Sequence, residues 1–470
     1  SPQIRQQNRA ASSILKIHIL SGDKSGNRMI NFVRAKQLIN RAIAFGRQSL
    51  VTNAAYLLGI SAVNAIVGFL FWGITAHLYL PEDVGYTSAF ISAAFLVCGL
   101  TDLGMSVGLF RYLPETPTPV KFLNTIFSFE VLTSILAGFV YLLGITIWSP
   151  SLTALKSNWI FTASFLIYII FYTLGSLVSR AFIARRKSLY ALFFNFISNG
   201  SRLILVVVLV GFGTAGLLGS LTISFILASS ISMLYLLPKI EPGYKLRPDF
   251  NWQILSSILP YSLGNFVVGL FSMVSHRLLP LLVIETLGPT SSGHFYIAWM
   301  ISELLASPNT ALSDATFAEG SNTPEKLNAH LLRSTKIGLG LTVPAAILVS
   351  IGSPYILQLF GPSYAQEASD LLRWLAFAAP LTVINGLFFT SMRVRKQVKK
   401  LVWVSAIPAT ITLGLSYGLI FRLGITAVGI AWFSAMAFTA VVAVFGFGWH
   451  KFIFRYFRNR SSRYDSTDPL

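Results

Sequence analysis

The stretch from Ser256 to Glu319 decides the fold: SSILPYSLGNFVVGLFSMVSHRLLPLLVIETLGPTSSGHFYIAWMISELLASPNTALSDATFAE. Two long apolar runs flank a short turn at Gly288-Pro289, and His276, Arg277 and Glu303 lie inside these runs. An apolar run of about 18 or more residues is long enough to cross a membrane. A charged residue within such a run usually faces protein or a water-filled cavity, because its insertion into lipid costs roughly 2.5–3.5 kcal/mol. The stretch therefore predicts a transmembrane hairpin whose polar groups face a cavity or a neighbouring helix.

The composition of the whole chain predicts a polytopic membrane protein. Of its 470 residues, 54% are hydrophobic and 11% are charged, whereas soluble domains carry about 25% charged residues. The net charge of +19 would suit nucleic acid, but in a membrane protein the placement of the basic residues is considered first. The single cysteine excludes an internal disulfide and a multi-cysteine metal site, and the six histidines show no close metal-ligand spacing. We therefore expect no metal and no cofactor.

Hydropathy predicts an all-α integral membrane protein with twelve transmembrane helices. The predicted spans are 52–79, 86–110, 122–148, 159–182, 189–210, 214–237, 258–284, 292–315, 337–360, 371–392, 399–421 and 425–448. Residues 1–50 are predicted to form a basic segment, in part an amphipathic helix on an anionic membrane surface. An unstructured tail fits residues 1–27 equally well. Residues 451–470 are predicted to form a basic tail, and because the first residue is not Met, the natural start of the protein is expected upstream.

The basic residues predict the orientation of these spans. Most of the 36 Lys and Arg residues lie in the N-terminal segment, in the C-terminal tail and in every second loop. Only Lys156, Arg373 and Arg422 fall at the opposite ends of the spans. Because cytoplasmic loops carry an excess of Lys and Arg, we expect both termini in the cytoplasm and the chain in the plasma (inner) membrane. The alternation also accounts for the net charge without a nucleic-acid partner.

The two halves of the chain repeat each other. Three pairs of segments recur at a nearly constant spacing: Pro81–Gly85 with Pro289–Gly293, Gly211–Gly216 with Gly424–Gly429, and Arg185-Arg186 with Arg395-Lys396. Such self-similarity predicts two six-helix lobes, 51–240 and 241–450. Since each repeat has an even number of spans, the repeats are parallel and related by an axis along the membrane normal. Halves of this kind typically enclose a central substrate site.

Span five carries the clearest polar stripe. Asn195, Asn199 and Arg202 follow one another at i, i+4 and i+7, which places them on one face of a helix. Arg202 lies near the middle of the apolar run, so we expect a cavity or an acidic partner beside it. Two interpretations stay open at this point: Arg202 contacts a substrate, or it forms a structural ion pair within the N-terminal lobe.

Spans seven and eight carry the other candidate site residues. Glu303, near the centre of span eight, suits a proton or cation site, a partner for a buried arginine, or a protonated glutamate satisfied by neighbouring helices. Arg277, next to His276, lies near the outer end of span seven. There it either binds an anion or extends its side chain to the membrane surface.

Asp102 and Glu130 lie toward the cytoplasmic ends of spans two and three, and we expect each to pair with Arg111 or a nearby loop cation. The sequence contains no phosphate-binding loop of the G-x-x-x-x-G-K-[ST] type and no G-x-S-x-G nucleophile elbow. No extramembrane segment is long enough to form a separate catalytic domain. The sequence therefore disfavours an enzyme and predicts a transporter or a membrane scaffold.

Several motifs resemble a known family. They are Leu80–Tyr86 (LPEDVGY), Asp102–Tyr112 (DLGMSVGLFRY), Leu287–Gly293 (LGPTSSG) with Tyr296–Ala298 (YIA), and Phe360–Ala365 (FGPSYA). The chain resembles the polysaccharide (Wzx-type) flippases of the multidrug/oligosaccharidyl-lipid/polysaccharide exporter (MOP) superfamily over about residues 45–450. Family members often carry an acidic residue before the arginine of span seven, where this chain has His276. The resemblance therefore does not predict acid-dependent ion coupling at that position.

The resemblance implies a MATE-like fold, with two lobes around a central cationic cavity, and a flippase function. The substrate would be a lipid-linked (polyprenyl-pyrophosphate) oligosaccharide moved to the outer leaflet for O-antigen or exopolysaccharide biosynthesis. We expect Arg202 and Arg277 to bind the phosphates through charge-assisted hydrogen bonds. We expect amide and aromatic side chains to contact the sugars, namely Asn195, Asn199, Trp72 and Trp299. Expected partners are membrane lipids and, in the same pathway, a glycan polymerase or glycosyltransferases.

Two other functions fit the same sequence. The first is a multidrug or small-molecule exporter on the same scaffold, which would be expected to bind organic cations with buried carboxylates. The second is a membrane scaffold without transport activity, which would recruit glycan-synthesis enzymes through its basic N- and C-terminal arms. The deep charges of the sequence are mostly basic, and they favour an anionic substrate over a cationic one.

Overall fold

A computed structural model of the chain describes residues 56, 57, 59–395 and 397–446. These residues form long helices joined by short turns. The helices are α1 (Gly59–Leu78), α2 (Pro81–Thr101), α3 (Met105–Tyr112), α4 (Pro119–Leu143), α5 (Trp159–Ala184), α6 (Ser188–Val208), α7 (Gly213–Ile231), α8 (Trp252–Asn322), α9 (Leu327–Gln358), α10 (Pro362–Val394), α11 (Val398–Leu423) and α12 (Thr426–Val441). A π-helical turn and a short helix extend α7 to Ile240. The predicted basic segment 1–50 and the tail 451–470 lie outside the described residues.

The predicted spans match the observed helices. Ten helices in the described part of the chain are long and apolar enough to cross a membrane. The other two predicted spans, 258–284 and 292–315, are the two arms of α8, whose backbone is interrupted at Gly288 (φ 81°, ψ 175°). The prediction of an all-helical membrane fold is therefore confirmed.

One predicted span differs from the observed helices. The predicted span 86–110 is two helices, because α2 ends at Thr101 and the chain turns at Leu103 and Gly104, which both have positive φ (44° and 77°). In α8, the turn predicted at Gly288-Pro289 coincides with its non-helical residue, Gly288.

Corresponding helix ends of the two halves have the same backbone geometry. The Lys187 amide donates to the Phe182 carbonyl (2.8 Å) after α5, and the Gln397 amide donates to the Met392 carbonyl (2.9 Å) after α10. Such bonds satisfy carbonyl groups that a helix end leaves unpaired. Before α7 and α12, respectively, Gly213 (φ 53°, ψ −134°) and Gly424 (φ 57°, ψ −146°) adopt the same unusual conformation. These matches agree with two parallel repeats, while the exact lobe boundary at 240/241 remains a prediction.

The two Pro-x-x-x-Gly turns of the repeats contact each other directly. A Cβ atom on Gly85 would lie 1.7 Å from the Pro289 carbonyl oxygen, and one on Gly293 would lie 2.1 Å from the Pro81 carbonyl oxygen. The Ser88 and Ser292 hydroxyl oxygens are 3.4 Å apart beside them. The contact is reciprocal, as expected for equivalent surfaces related by a two-fold axis. Glycine is required on both sides, because any side chain would separate the two turns.

The largest cluster of buried apolar side chains is built on the same helices and includes Phe90 of α2 and Phe295 of α8. Among the ten described helices other than α8 that are long and apolar enough to cross a membrane, α2 is the most buried, whereas α1, α6, α9 and α11 expose much of their apolar surface. Exposed apolar helix faces suit contact with lipid chains. The structure thus places α2 at the centre of the molecule.

A disulfide cross-link tests the contact between the two turns. In a chain carrying Cys98→Ser, the pair Ser88→Cys and Ser292→Cys is expected to form a disulfide on mild oxidation, because the native hydroxyl oxygens are close. Adding Gly85→Ala should strongly lower the yield, since the new Cβ would collide with the Pro289 carbonyl. Mass spectrometry of unreduced peptides measures the yield. Gly68→Ala is the control, because its Cβ would meet no atom within 4 Å. An equal yield with Gly85→Ala would contradict the contact.

Cysteine labelling tests the predicted orientation. Thr290 and Ser363 are exposed beside the turns that follow Gly288 and Phe360, whereas Glu115 and Lys187 are exposed at the opposite helix ends. In the chain lacking Cys98, single cysteines at the first two positions should react with an impermeant thiol reagent added to intact cells. Cysteines at Glu115 and Lys187 should react only after permeabilisation. Labelling of all four positions from one side would contradict the predicted topology.

Candidate functional site

A cavity of about 630 Å³ lies between helices of the two halves. Helix α6 contributes Asn195, Asn199 and Arg202 to its wall, and Glu303 reaches it from the second arm of α8. Further polar or aromatic side chains come from α1 and α5, namely Asn64, Trp72, Ser176, Ser179 and Arg180. Four of the six predicted site residues therefore line one cavity. We call it the large cavity.

Arg202 is held by neutral groups. One terminal nitrogen of its guanidinium donates to Asn199 Oδ1 (2.9 Å), and its central carbon lies 4.5 Å from the centre of the Phe71 ring. A cation–π contact of this kind contributes about 0.5–2 kcal/mol. Arg202 Nε is buried and has no hydrogen-bond partner, and no carboxylate of the described residues forms an ion pair with Arg202. A structural ion pair thus finds no support among the described residues.

Asn199 links Arg202 to the first helix. Its side-chain nitrogen donates to Asn64 Oδ1 (2.7 Å), while its oxygen accepts the bond from Arg202. Both atoms of the amide are therefore engaged, and their orientation is fixed by what they bind. Asn195, one turn earlier, donates to the Ala191 carbonyl (2.8 Å), which leaves its side-chain oxygen available to a ligand. The stripe presents a cation and an amide oxygen to the large cavity.

Glu303 is exposed to the large cavity. Its Oε1 accepts a hydrogen bond from Trp299 Nε1 (3.1 Å), one turn earlier on the same helix. Tyr296, on the same arm of α8, packs its ring 4.6 Å from that of Trp72, which lines the large cavity with Glu303 and Arg202. Glu303 and Arg202 therefore come from different halves of the chain and converge on one region without forming an ion pair.

Trp72 and Trp299, the two predicted sugar-contacting rings, lie in different places. Trp72 lines the large cavity, although only 5% of the residue is exposed. Trp299 is 4% exposed and packs against Phe295 and Trp432, with ring centres 5.7 and 5.0 Å away. The structure thus places Trp299 in an aromatic core, where it positions Glu303 through its indole nitrogen.

Arg277 and His276 lie away from the large cavity. Arg277 lines a second cavity of about 210 Å³, which we call the small cavity, and its guanidinium carbon is 4.5 Å from the centre of the Phe95 ring. The His276 ring packs edge-on against Trp299 and Trp432, with ring centres 5.8 and 5.2 Å away. Neither residue lines the large cavity with Arg202, and His276 lines neither cavity.

The small cavity contains acidic residues that the sequence analysis assigned elsewhere. Asp102 and Glu130 both line it, whereas Arg111 packs its guanidinium over Tyr112 and Tyr261, 5.4 and 4.4 Å from the ring centres. Among the described residues, neither acid forms an ion pair with Arg111. Arg111 therefore pairs with neither acid among the described residues, while pairing of the two acids with a nearby loop cation stays a prediction.

Sequence reasoning missed Arg180, which lines both cavities. It lies one turn before the end of α5, close to Arg185-Arg186, and was counted with that basic loop. A signal was present nevertheless. Ser176, Ser179 and Arg180 follow at i, i+3 and i+4 in an apolar run, so they share one helix face. That is the pattern that identified the stripe on α6.

Comparisons with known proteins agree on the fold. Residues 260–418 match the MatE family, and no curated protein sequence gave a match. The structure is similar to an inward-facing multidrug resistance MATE family transporter of the MOP superfamily, at 16% identity and a TM-score of 0.65, covering 86% of this chain and 96% of that one. It is also similar to the lipid II flippase MurJ in an inward closed conformation, at 16% identity and a TM-score of 0.67, covering 85% of this chain and 87% of that one.

A third similar structure is a MOP superfamily transporter from Pyrococcus furiosus. Its identity is 16% and its TM-score 0.56, with 86% of this chain and 95% of that one covered. The description of that structure states that a reverse polarity of its binding pocket suggests a different function. At these identities the likeness establishes the fold. The chain shares the all-helical fold of these transporter structures, and its residues 260–418 match the MatE family.

Proposed function

We propose that this chain is a flippase that moves a polyprenyl-pyrophosphate-linked oligosaccharide from the cytoplasmic to the outer leaflet. The observation that carries the proposal is the environment of Arg202 in the large cavity. Its guanidinium has a buried nitrogen without a partner and no paired carboxylate among the described residues. A cation is costly at membrane depth unless something neutralises it. An anionic ligand in the large cavity would supply that charge.

A pyrophosphate headgroup matches the chemistry of the large cavity. Guanidinium groups bind phosphate through paired, charge-assisted hydrogen bonds. The free oxygen of Asn195 and the serine hydroxyls of α5 offer hydrogen-bond partners to sugar hydroxyls. The volume of about 630 Å³ lies within the usual range of roughly 300–1,000 Å³ for a small-molecule site. It suits a headgroup with its first sugars, while the polyprenyl chain would remain in lipid.

The polar chemistry of the substrate explains why its movement across the membrane needs a protein. A pyrophosphate and sugar hydroxyls lose their water on entering hydrocarbon, and a polar group without a partner there costs several kcal/mol. A cavity lined by amides, hydroxyls and arginines replaces that water. A membrane potential that is negative inside favours outward movement of an anion by about 2.3 kcal/mol per charge and 100 mV.

The similar proteins support the same proposal. One of them is described as a lipid II flippase, and the motifs at Leu80–Tyr86 and Leu287–Gly293 resemble those of polysaccharide flippases. The proposal includes a plasma (inner) membrane location, cytoplasmic termini and a place in polysaccharide biosynthesis. It also includes two cooperating lobes, 51–240 and 241–450. A glycan polymerase or glycosyltransferases would then be the pathway partners.

Substitution of Arg202 tests the proposal. Arg202→Ala is expected to lower transport roughly ten- to a hundredfold, which corresponds to the loss of about 1.5–3 kcal/mol for a hydrogen bond to a charged group. Arg202→Lys should retain part of the activity, since it keeps the charge but loses the paired geometry. The measurement uses purified protein in liposomes and a polyprenyl-pyrophosphate disaccharide with a fluorescent label on its sugar. Quenching by membrane-impermeant dithionite reports which leaflet holds the label.

Arg373→Ala is the matched control, because Arg373 has a partly exposed side chain that bonds Asp370, three residues before it (2.7 Å), and lines neither cavity. This variant should transport at the rate of the unsubstituted protein. The melting temperature of each variant in detergent shows whether a loss of transport reflects a loss of folded protein. Full transport by folded Arg202→Ala would overturn the proposal.

A multidrug exporter is the second candidate, and Glu303 is the observation that favours it. Its carboxylate is exposed in the large cavity and would attract an organic cation. Two arginines line the same cavity, so the cavity carries more positive than negative side chains. The description of the Pyrococcus furiosus transporter likewise connects the polarity of a pocket with function.

Glu303→Gln separates the two candidates. In a glycan flippase the substitution removes a charge that repels pyrophosphate, so transport of the labelled lipid should be equal or faster. In a cation exporter it should abolish the transport of tetraphenylphosphonium. Both rates are measured in the same liposomes. Asp314→Asn serves as the control, because it removes an exposed carboxylate from the same arm of α8 outside both cavities.

A further inference from the structure

Arg180 lies in the wall shared by the two cavities. It lines the large cavity with Arg202 and the small cavity with Glu130 and Asp102. Its side chain is partly exposed, and within the described chain no hydrogen bond or ion pair holds it. Arginine is long and flexible, so this guanidinium can turn toward either cavity. Arg180 therefore lies between the cation of the large cavity, Arg202, and the acids of the small cavity, Glu130 and Asp102.

Glu130 is the group in the small cavity that needs a partner. Only 1% of the residue is exposed, and its Oε1 makes no hydrogen bond. Asp102 is already engaged, because its two carboxylate oxygens accept bonds from the Ser106 amide (3.1 Å) and hydroxyl (2.9 Å). A buried carboxylate without a partner is unfavourable. The small cavity thus contains an acceptor that a guanidinium would satisfy.

The two arginines of the small cavity differ in their contacts. Arg277 lies against the Phe95 ring, 4.5 Å from its centre. Arg180 lines the same cavity as Glu130 and makes no such ring contact among the described residues, so it is the guanidinium that can turn to the Glu130 carboxylate. The small cavity also contains the hydroxyls of Ser106, Tyr172, Thr173 and Ser176 and the Cys98 thiol.

We propose that Arg180 is a second anion-binding residue of the large cavity, for which the Glu130 carboxylate competes. With no anion bound, the guanidinium lies in the shared wall between the two cavities and forms no ion pair among the described residues. A pyrophosphate on Arg202 attracts the guanidinium into the large cavity, where it binds the second phosphate group. Glu130 therefore competes with the substrate for Arg180. The inference rests on the proposed function, since it requires an anionic headgroup in the large cavity.

Two substrates of different charge test this inference. Protein in nanodiscs is titrated with a fluorescent polyprenyl-pyrophosphate disaccharide and with the corresponding polyprenyl-monophosphate sugar. Arg180→Ala should weaken binding of the pyrophosphate lipid about tenfold, as expected for the loss of a charge-assisted hydrogen bond, and leave the monophosphate lipid nearly unchanged. Arg202→Ala should weaken both. Arg180→Lys should recover part of the preference for pyrophosphate.

Glu130→Gln gives a result that a purely structural role would not produce. When Arg180 is present, removal of the competing carboxylate charge should tighten binding of the pyrophosphate lipid severalfold. In a chain that also carries Arg180→Ala, the same substitution should have no effect on binding. Lys187→Ala, an exposed cation just beyond the same helix, is the control and should change neither affinity. If Glu130→Gln does not fold, the selective effect of Arg180→Ala decides by itself.

The possible outcomes separate this inference from the proposed function. If Arg202→Ala weakens binding while Arg180→Ala and Glu130→Gln leave it unchanged, Arg180 has no role in the site and the inference is overturned. An equal loss of both lipids on Arg180→Ala also overturns it, because the residue would then not recognise the second phosphate. If neither lipid binds the unsubstituted protein, the proposed function itself fails.

Discussion

The backbone contact between the turns Pro81–Gly85 and Pro289–Gly293 fixes how the two halves meet at one end. Carbonyl groups lie where a side chain on either glycine would be, so the two halves meet at this end with no side chain between them. Helix α2 begins at one turn and the second arm of α8 at the other. The large cavity extends away from this contact, since its wall on α1 runs from Trp72, about 9 Å from Leu78, to Ile60, about 27 Å from Leu78. The halves are thus tight at one end and spaced by polar cavities toward the other.

The two cavities differ in how their charges are balanced. In the large cavity, Arg202 is supported by an amide and an aromatic ring, and the one carboxylate, Glu303, is held by the Trp299 indole. In the small cavity, two carboxylates share the space with two arginines. At low dielectric, an unbalanced charge is far more costly than in water. The large cavity is therefore the place where an added anion would gain most, and Arg180 is the side chain through which the small cavity affects it.

The sequence allowed the fold to be predicted because lipid restricts a spanning chain to a few solutions. Apolar runs and alternating basic loops were sufficient to predict the helices. The spacing between Pro81–Gly85 and Pro289–Gly293 was sufficient to predict the repeat. The stripe on α6 was found because Arg202 lies in the middle of an apolar run. Arg180 was missed because it lies one turn from a basic loop, where an arginine usually marks the cytoplasmic side. His276 was misplaced because sequence adjacency to Arg277 says nothing about direction: on a helix, successive side chains point about 100° apart.

Three carboxylates of this chain, those of Asp102, Glu303 and Glu130, have different roles because their surroundings differ. Asp102 lies at the turn of Leu103 and Gly104 before α3, where its carboxylate accepts hydrogen bonds from the Ser106 amide and hydroxyl. Glu303 keeps an open face toward the large cavity. Glu130 lies in the middle of an apolar helix, is buried, and caps no helix end. We explain this buried acid by its competition for a mobile partner, and the Arg180 guanidinium lines the same cavity.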